Sequence, residues 1–133
     1  MIEAILCLSL NAYHEARSEP IQAQIAVNQV VLRRAGFDPR RVCKEIRRPR
    51  QFSWVGRVGK PRDRAAWRRA QYAARVALLW NSARHISDYS AGADHYHARY
   101  VRPRWARGML RVTTIGDHHF YYETARRPIS SAA

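Results

Sequence analysis

The chain has 133 residues, with 24 Lys and Arg against 10 Asp and Glu, a formal charge of +14 and a pI near 11.1. That length supports one domain, and 47% hydrophobic residues with 4 Trp and 7 Tyr exclude a disordered basic tail, which could not offset its ordering entropy by burial. Lys44 and Lys60 are the only lysines, and arginine's planar fork suits carboxylate and phosphate, so the expected partner is an anionic polymer: nucleic acid, anionic lipid or an acidic wall glycan.

The opening MIEAILCLSL carries Glu3 and lacks both a basic leader region and a small-residue cleavage site. It reads as the start of a helix rather than a secretory signal, and no segment approaches the ~20 apolar residues needed to span a bilayer. The expectation is a soluble product made in the cytoplasm, with any extracytoplasmic substrate reached by another route. From Ile2 to Ala16 apolar residues occupy most of the helical circumference, with Ile2, Leu6, Ser9 and Tyr13 on one stripe and Ala4, Leu8 and Ala12 on another, as in a buried helix. Arg17, Ser18 and Glu19 form a short turn, and Pro20 suits the first position of a second buried helix that ends at Gly36.

FDPRRVCKEI predicts a turn and a short helix, and RRPRQFSWVGRVGKPRD a loop. Asp63 is a good N-cap for a third long helix to about residue 84, with Trp67, Ala70, Ala74 and Ala77 inside and Arg64, Arg68, Gln71 and Arg75 outside. AGADHYHARY and IGDHHFYYE predict two short antiparallel strands, separated by PRWARGMLRV, which suits one or two helical turns. Cys7 and Cys43 are expected to be two small buried hydrophobes rather than a disulfide. Residues 1–124 are then a single mainly helical α+β domain with a small antiparallel sheet, and 125–133 a frayed, flexible tail.

Two of the five glutamates stand together in YHEARSEP, at the end of an apolar helix where a carboxylate is costly unless paired or neutral. Glu15 falls on the side of Leu8, Asn11 and Ala12, where desolvation would favour the protonated form that a general acid requires. Glu19 precedes the second helix, whose positive end would keep it ionised. A structural ion pair with Arg17 is the plain alternative. His95 and His97 share one face of an extended strand, whereas His118 and His119 point to opposite faces. No cluster supplies a third and fourth ligand at a diagnostic spacing, so no metal and no cofactor is expected. Gln51, Phe52, Ser53 and Trp54, with Tyr96 and Tyr121, offer the amide and aromatic groups that a glycan cleft uses, while Trp67 and Phe120 read as core.

These segments, in this order, resemble the SleB-like cell-wall hydrolases, the spore-cortex lytic enzymes and their phage and bacterial relatives. The matching stretches are YHEARSEP with IQAQIAVNQVVLRR, VCKEI leading to QFSW, GADHYHARYV with PRWA, and IGDHHFYY. The resemblance implies a lysozyme-like or lytic-transglycosylase-like fold acting on peptidoglycan glycan strands, with Glu15 as the key glutamate and Glu19 the second of the pair. The sequence departs from the family at Ser18, where Gly is usual and a positive φ would demand it, and at Arg33, where Asn is usual. The expected activity is cleavage of the MurNAc–GlcNAc bond by a monomer, as a lytic transglycosylase of phage or prophage endolysin type. The substrate contacts are expected from Gln51, Phe52, Ser53, Trp54, His95, Tyr96, His97, His118 and Tyr121. Hydrolytic muramidase and amidase activities are the alternatives, and a basic nucleic-acid-binding module a distant one. Anionic outer-membrane lipid is a further expected partner, and the work is expected in the periplasm.

Overall fold

A computed structural model describes residues 2–48, 60–83 and 86–124. The expected loop residues Gln51, Phe52, Ser53 and Trp54 and the expected tail 125–133 lie outside the described residues. The architecture is the mainly helical α+β domain that the periodicity predicts. Its helices are α1 (Ile2–Ala16), α2 (Ile21–Arg34), α3 (Val42–Ile46) and α4 (Arg64–Ala83). Strands β1 (His95–Ala98), β2 (Leu110–Ile115) and β3 (His118–Tyr122) form an antiparallel sheet in the order β1-β3-β2.

α2 is the hub. Every residue from Ala23 to Leu32 is buried, because α1 and α4 cover part of its circumference and the sheet covers another part. The first core gathers Leu8 and Ala12 of α1, Ile25 and Leu32 of α2, and an alanine stripe of α4, namely Ala66, Ala70, Ala73, Ala74 and Ala77. Alanine leaves little side chain between backbones, so α4 lies close on its neighbours, and Trp80 closes the far end. A smaller core joins α2 to the sheet through Val27, Val30, Ala93 and the fully buried Phe120. Asp63 caps α4 as expected, its Oδ1 accepting the Ala66 N–H at 3.0 Å.

Four expectations need correction or refinement. Cys7 and Cys43 form a disulfide, their Cα atoms 5.5 Å apart; α3 packs onto α1 and brings together residues that 36 positions of sequence keep apart. α1 is not covered all round, since Ile2 and Leu6 are exposed on the side that neither α2 nor α4 reaches. Trp67, expected inside, is only partly buried and meets Tyr13 edge-on, the ring centroids 6.0 Å apart. Of PRWARGMLRV only Arg104–Gly108 is helical, as one 3-10 stretch, and its end enters β2, a third strand.

Both departures from the family pattern are accommodated. Among the described residues the positive-φ residues other than glycine are Phe37 and Ala91, so the turn holds Ser18 without a left-handed backbone. Arg33 reaches Asp88 (Nη2 to Oδ2, 2.6 Å) and donates to Ser90 Oγ and the Ala93 carbonyl, pinning the loop that leads into β1. Among the remaining carboxylates, the buried Glu45 is held by Arg34 and Arg48 at 3.0 and 3.1 Å, a structural ion-pair cluster.

Candidate active site

The two glutamates flank the α1–α2 turn, and β3 closes over it. Glu15 is half-buried in the last turn of α1, four residues after the fully buried Asn11 and on the same helical face. Above that face lies the sheet, whose inward side chains include Tyr96, His118 and Phe120. The buried phenol oxygen of Tyr96 sits beside Asn11 and Glu15, and burial, reinforced by the Glu15 charge, pushes its pKa well above the usual value. The His118 ring faces the Glu15 backbone and the Glu19 carboxylate, its Nδ1 3.9 Å from Glu19 Oε1. Burial lowers the His118 pKa, and the Glu19 charge only partly opposes this.

Glu19 is fixed from several sides. Its Oε1 accepts the Asp117 N–H at 2.7 Å, its backbone carbonyl accepts from Gln24 Nε2 at 3.3 Å, and only 11% of its side chain is exposed. Asp117 and Gly116 form the two-residue turn between β2 and β3, with Gly116 at φ +55°. A Cβ at Gly116 would overlap the Glu19 carboxylate and stand 2.9 Å from Pro20 Cδ. Glycine is therefore what lets this hairpin touch the glutamate. Arg17 lies with its guanidinium 4.8 Å from the Tyr13 ring centroid.

Beneath the turn runs a polar seam that sequence reading overlooked. Asn11 Nδ2 donates to Asn28 Oδ1 at 3.1 Å, and Gln24 and Asn28, one helical turn apart, are both fully buried. Gln24 Oε1 and Asn28 Nδ2 carry no hydrogen bond among the described residues. Amides at i and i+4, set among Ala23, Ile25, Ala26 and Val27 of α2, were the available signal.

The family model described as Cell Wall Hydrolase matches residues 18–121 of this chain. The chain belongs to the cell wall hydrolase family. The matched span takes in Glu19, Tyr96 and His118, and begins three residues after Glu15. Neither a curated protein nor a solved structure matches the hydrolase significantly.

Strand alternation divides the remaining expected site residues of the hydrolase from the glutamates. His95 pairs with Tyr121 and His97 with His119 across β1 and β3, so these four side chains stand on the outward face, while Tyr96 and His118 stand on the inward one. On the outward face His97 Nδ1 donates to the Ala98 carbonyl at 2.7 Å, so in the neutral ring Nε2 accepts from the Tyr121 hydroxyl at 2.8 Å. Trp105 meets His95, His97 and Tyr121 at centroid distances of 5.1, 5.6 and 5.5 Å. Among the described residues no group of three or more His, Cys, Asp or Glu is placed to hold a metal ion. No helix among them is long and apolar enough to cross a membrane.

Proposed function

We propose that this cell wall hydrolase is a lytic transglycosylase that cleaves the MurNAc–GlcNAc bond of peptidoglycan, with Glu15 as the group that both donates and accepts the proton. The observation that carries this reading is the setting of the α1–α2 turn: Glu15 beside the buried Tyr96 phenol and Asn11, with the second carboxylate already committed to the hairpin. Protonated Glu15 gives its proton to the glycosidic oxygen as the bond from the muramyl anomeric carbon breaks. The resulting Glu15 carboxylate takes the proton of the muramyl 6-hydroxyl as that oxygen attacks the same carbon. The products are a free GlcNAc 4-hydroxyl end and a 1,6-anhydro-muramyl end, and no water is consumed.

Glu19 acts as a fixed negative charge near the developing oxocarbenium ion. With one oxygen bonded to the Asp117 N–H and little exposure, it is poorly disposed to activate a water, which favours the one-carboxyl mechanism over hydrolysis. The disulfide suits work in an oxidising compartment outside the cytoplasm. We place the enzyme, as a monomer, in a phage or prophage endolysin role on the wall, in keeping with the resemblance.

Glu15→Gln tests the assignment. Clearing of a wall suspension should fall by roughly 10²–10⁴-fold with the circular dichroism unchanged, and near-wild-type clearing would remove Glu15 from the chemistry. Mass spectrometry of the digest decides the reaction. Anhydro-muramyl ends support transglycosylation, whereas new reducing ends mean hydrolysis and released peptides mean amidase action.

A further inference from the structure

The outward face of the sheet and the 3-10 stretch Arg104–Gly108 enclose a cavity of about 600 Å³ that the glutamate chemistry does not use. Its lining includes Arg99, Arg102, Arg104, Arg107 and Arg111, and no carboxylate. Arg99 pairs with Asp117 at 2.8 Å. Among the described residues, the other four guanidiniums make no ion pair, and Arg111 lies 5.8 Å from the centroid of the Tyr121 ring. These four arginines are exposed side chains lining one hollow, so the hollow carries an excess of positive charge that a neutral ligand does nothing to offset. A carboxylate offers one charge, whereas a phosphate monoester carries about −1.5 to −2 at pH 7 and three acceptor oxygens that match the arginine fork.

We propose that this pocket is a binding site for phosphate-bearing ligands, separate from the glutamate site because the sheet lies between them. The ligand class is a phosphorylated group with two or more negative charges, whether carried by an envelope lipid, by a wall polymer or free in solution. The site would hold the enzyme on phosphorylated envelope while the opposite face of the sheet serves the glycan.

Titration calorimetry with inorganic pyrophosphate tests the pocket, using Arg104→Gln/Arg107→Gln/Arg111→Gln and a control, Arg64→Gln/Arg68→Gln/Arg75→Gln, on the exposed face of α4. Both variants lower the net charge equally. The pocket variant should bind pyrophosphate at least tenfold more weakly than wild type while the α4 variant binds within about twofold. Equal losses in the two variants would mean that only net charge matters, and would overturn the proposal. So would wild-type binding no tighter than the pocket variant's, or a pocket variant that instead loses affinity for neutral N-acetylglucosamine oligomers. Sedimentation with neutral phosphatidylcholine vesicles, with or without a phosphomonoester lipid, and with wall glycan bearing phosphomonoester groups identifies the source. Pocket-dependent binding to either supports the site, and binding to neither that the pocket variant diminishes counts against an envelope role. Glu15→Gln should leave the affinities for pyrophosphate, vesicles and phosphorylated glycan unchanged, so failure of the catalytic assignment is distinguishable from failure of this one.

Discussion

Replacing Gly116 by alanine probes the clasp between the β2–β3 hairpin and Glu19. The new methyl group would occupy space now held by the Glu19 carboxylate, at a residue with φ +55°. A left-handed backbone costs an L-residue about 1–2 kcal/mol. Displacing Glu19 also breaks the 2.7 Å bond from Asp117 N–H, and a hydrogen bond to a charged group contributes about 1.5–3 kcal/mol. The substitution should therefore destabilise the protein by roughly 3 kcal/mol. In a Glu19→Ala background the overlap and the bond are already gone, leaving the backbone cost and the contact with Pro20, so Gly116→Ala should cost only about 1 kcal/mol there. Urea denaturation of the four proteins gives the coupling directly, and it should be near 2 kcal/mol. Hydrogen exchange at the Asp117 amide should speed up in both single variants. Additive costs, within about 0.5 kcal/mol, would refute the claim that glycine is required because the glutamate is there.

The Cys7–Cys43 bond closes a loop with a sequence separation of 36, which in the chain-entropy treatment stabilises the fold by about 4 kcal/mol. Reduction, or the double Cys→Ser variant, should lower the melting temperature by roughly 15 °C; a shift below about 3 °C would mean that the bridge constrains nothing in the unfolded chain. The pH dependence follows from His118, His14 and His119, whose folded-state pKa values burial lowers, with the Arg17 charge adding to the effect at His14 and the Arg111 charge at His119. A histidine with a lowered folded pKa contributes stability that is complete above about pH 6.5 and is lost as pH falls through that value toward the folded one. Denaturation midpoints should therefore fall between pH 7.5 and 5.5, and fall less in His118→Gln. Identical pH slopes in the two proteins would exclude His118 as a contributor.

The helices were readable because each carries its own local signals. Pro20 and Asp63 mark starts, Gly36 marks a stop, and the alanine spacing of α4 marks its inner face. β2 was not readable, since LRVTTI lies at a sheet edge with none of its residues fully buried and slips register between Arg111 and Thr113, so it lacks a clean period of two. The two-residue Gly116–Asp117 turn was in plain view but was absorbed into a strand run. The glutamates were found because carboxylates on an apolar helix are conspicuous. Their partners Tyr96, His118 and the Asp117 amide depend on which face of β1 and β3 meets α1, a tertiary fact. Alternation along HYH and HHFYY does show that His97 and Tyr96 face opposite ways. The arginine pocket stayed hidden in a chain where arginine is everywhere, because only folding shows which arginines line one hollow.

The bond between Glu19 and the Asp117 amide joins residues 98 positions apart. Helices α1 and α2 are neighbours in sequence and can pair from short-range contacts, so the turn between them can form before its partner hairpin has been synthesised. The surroundings of the two glutamates are completed only when β3 docks, and that closure carries the entropy of a loop with a sequence separation of 98. Loss of β3 by truncation would leave most of the helical core able to pair yet deprive Glu19 of its anchor. The clasp is thus tied to the order of synthesis, since its two halves are encoded 98 positions apart.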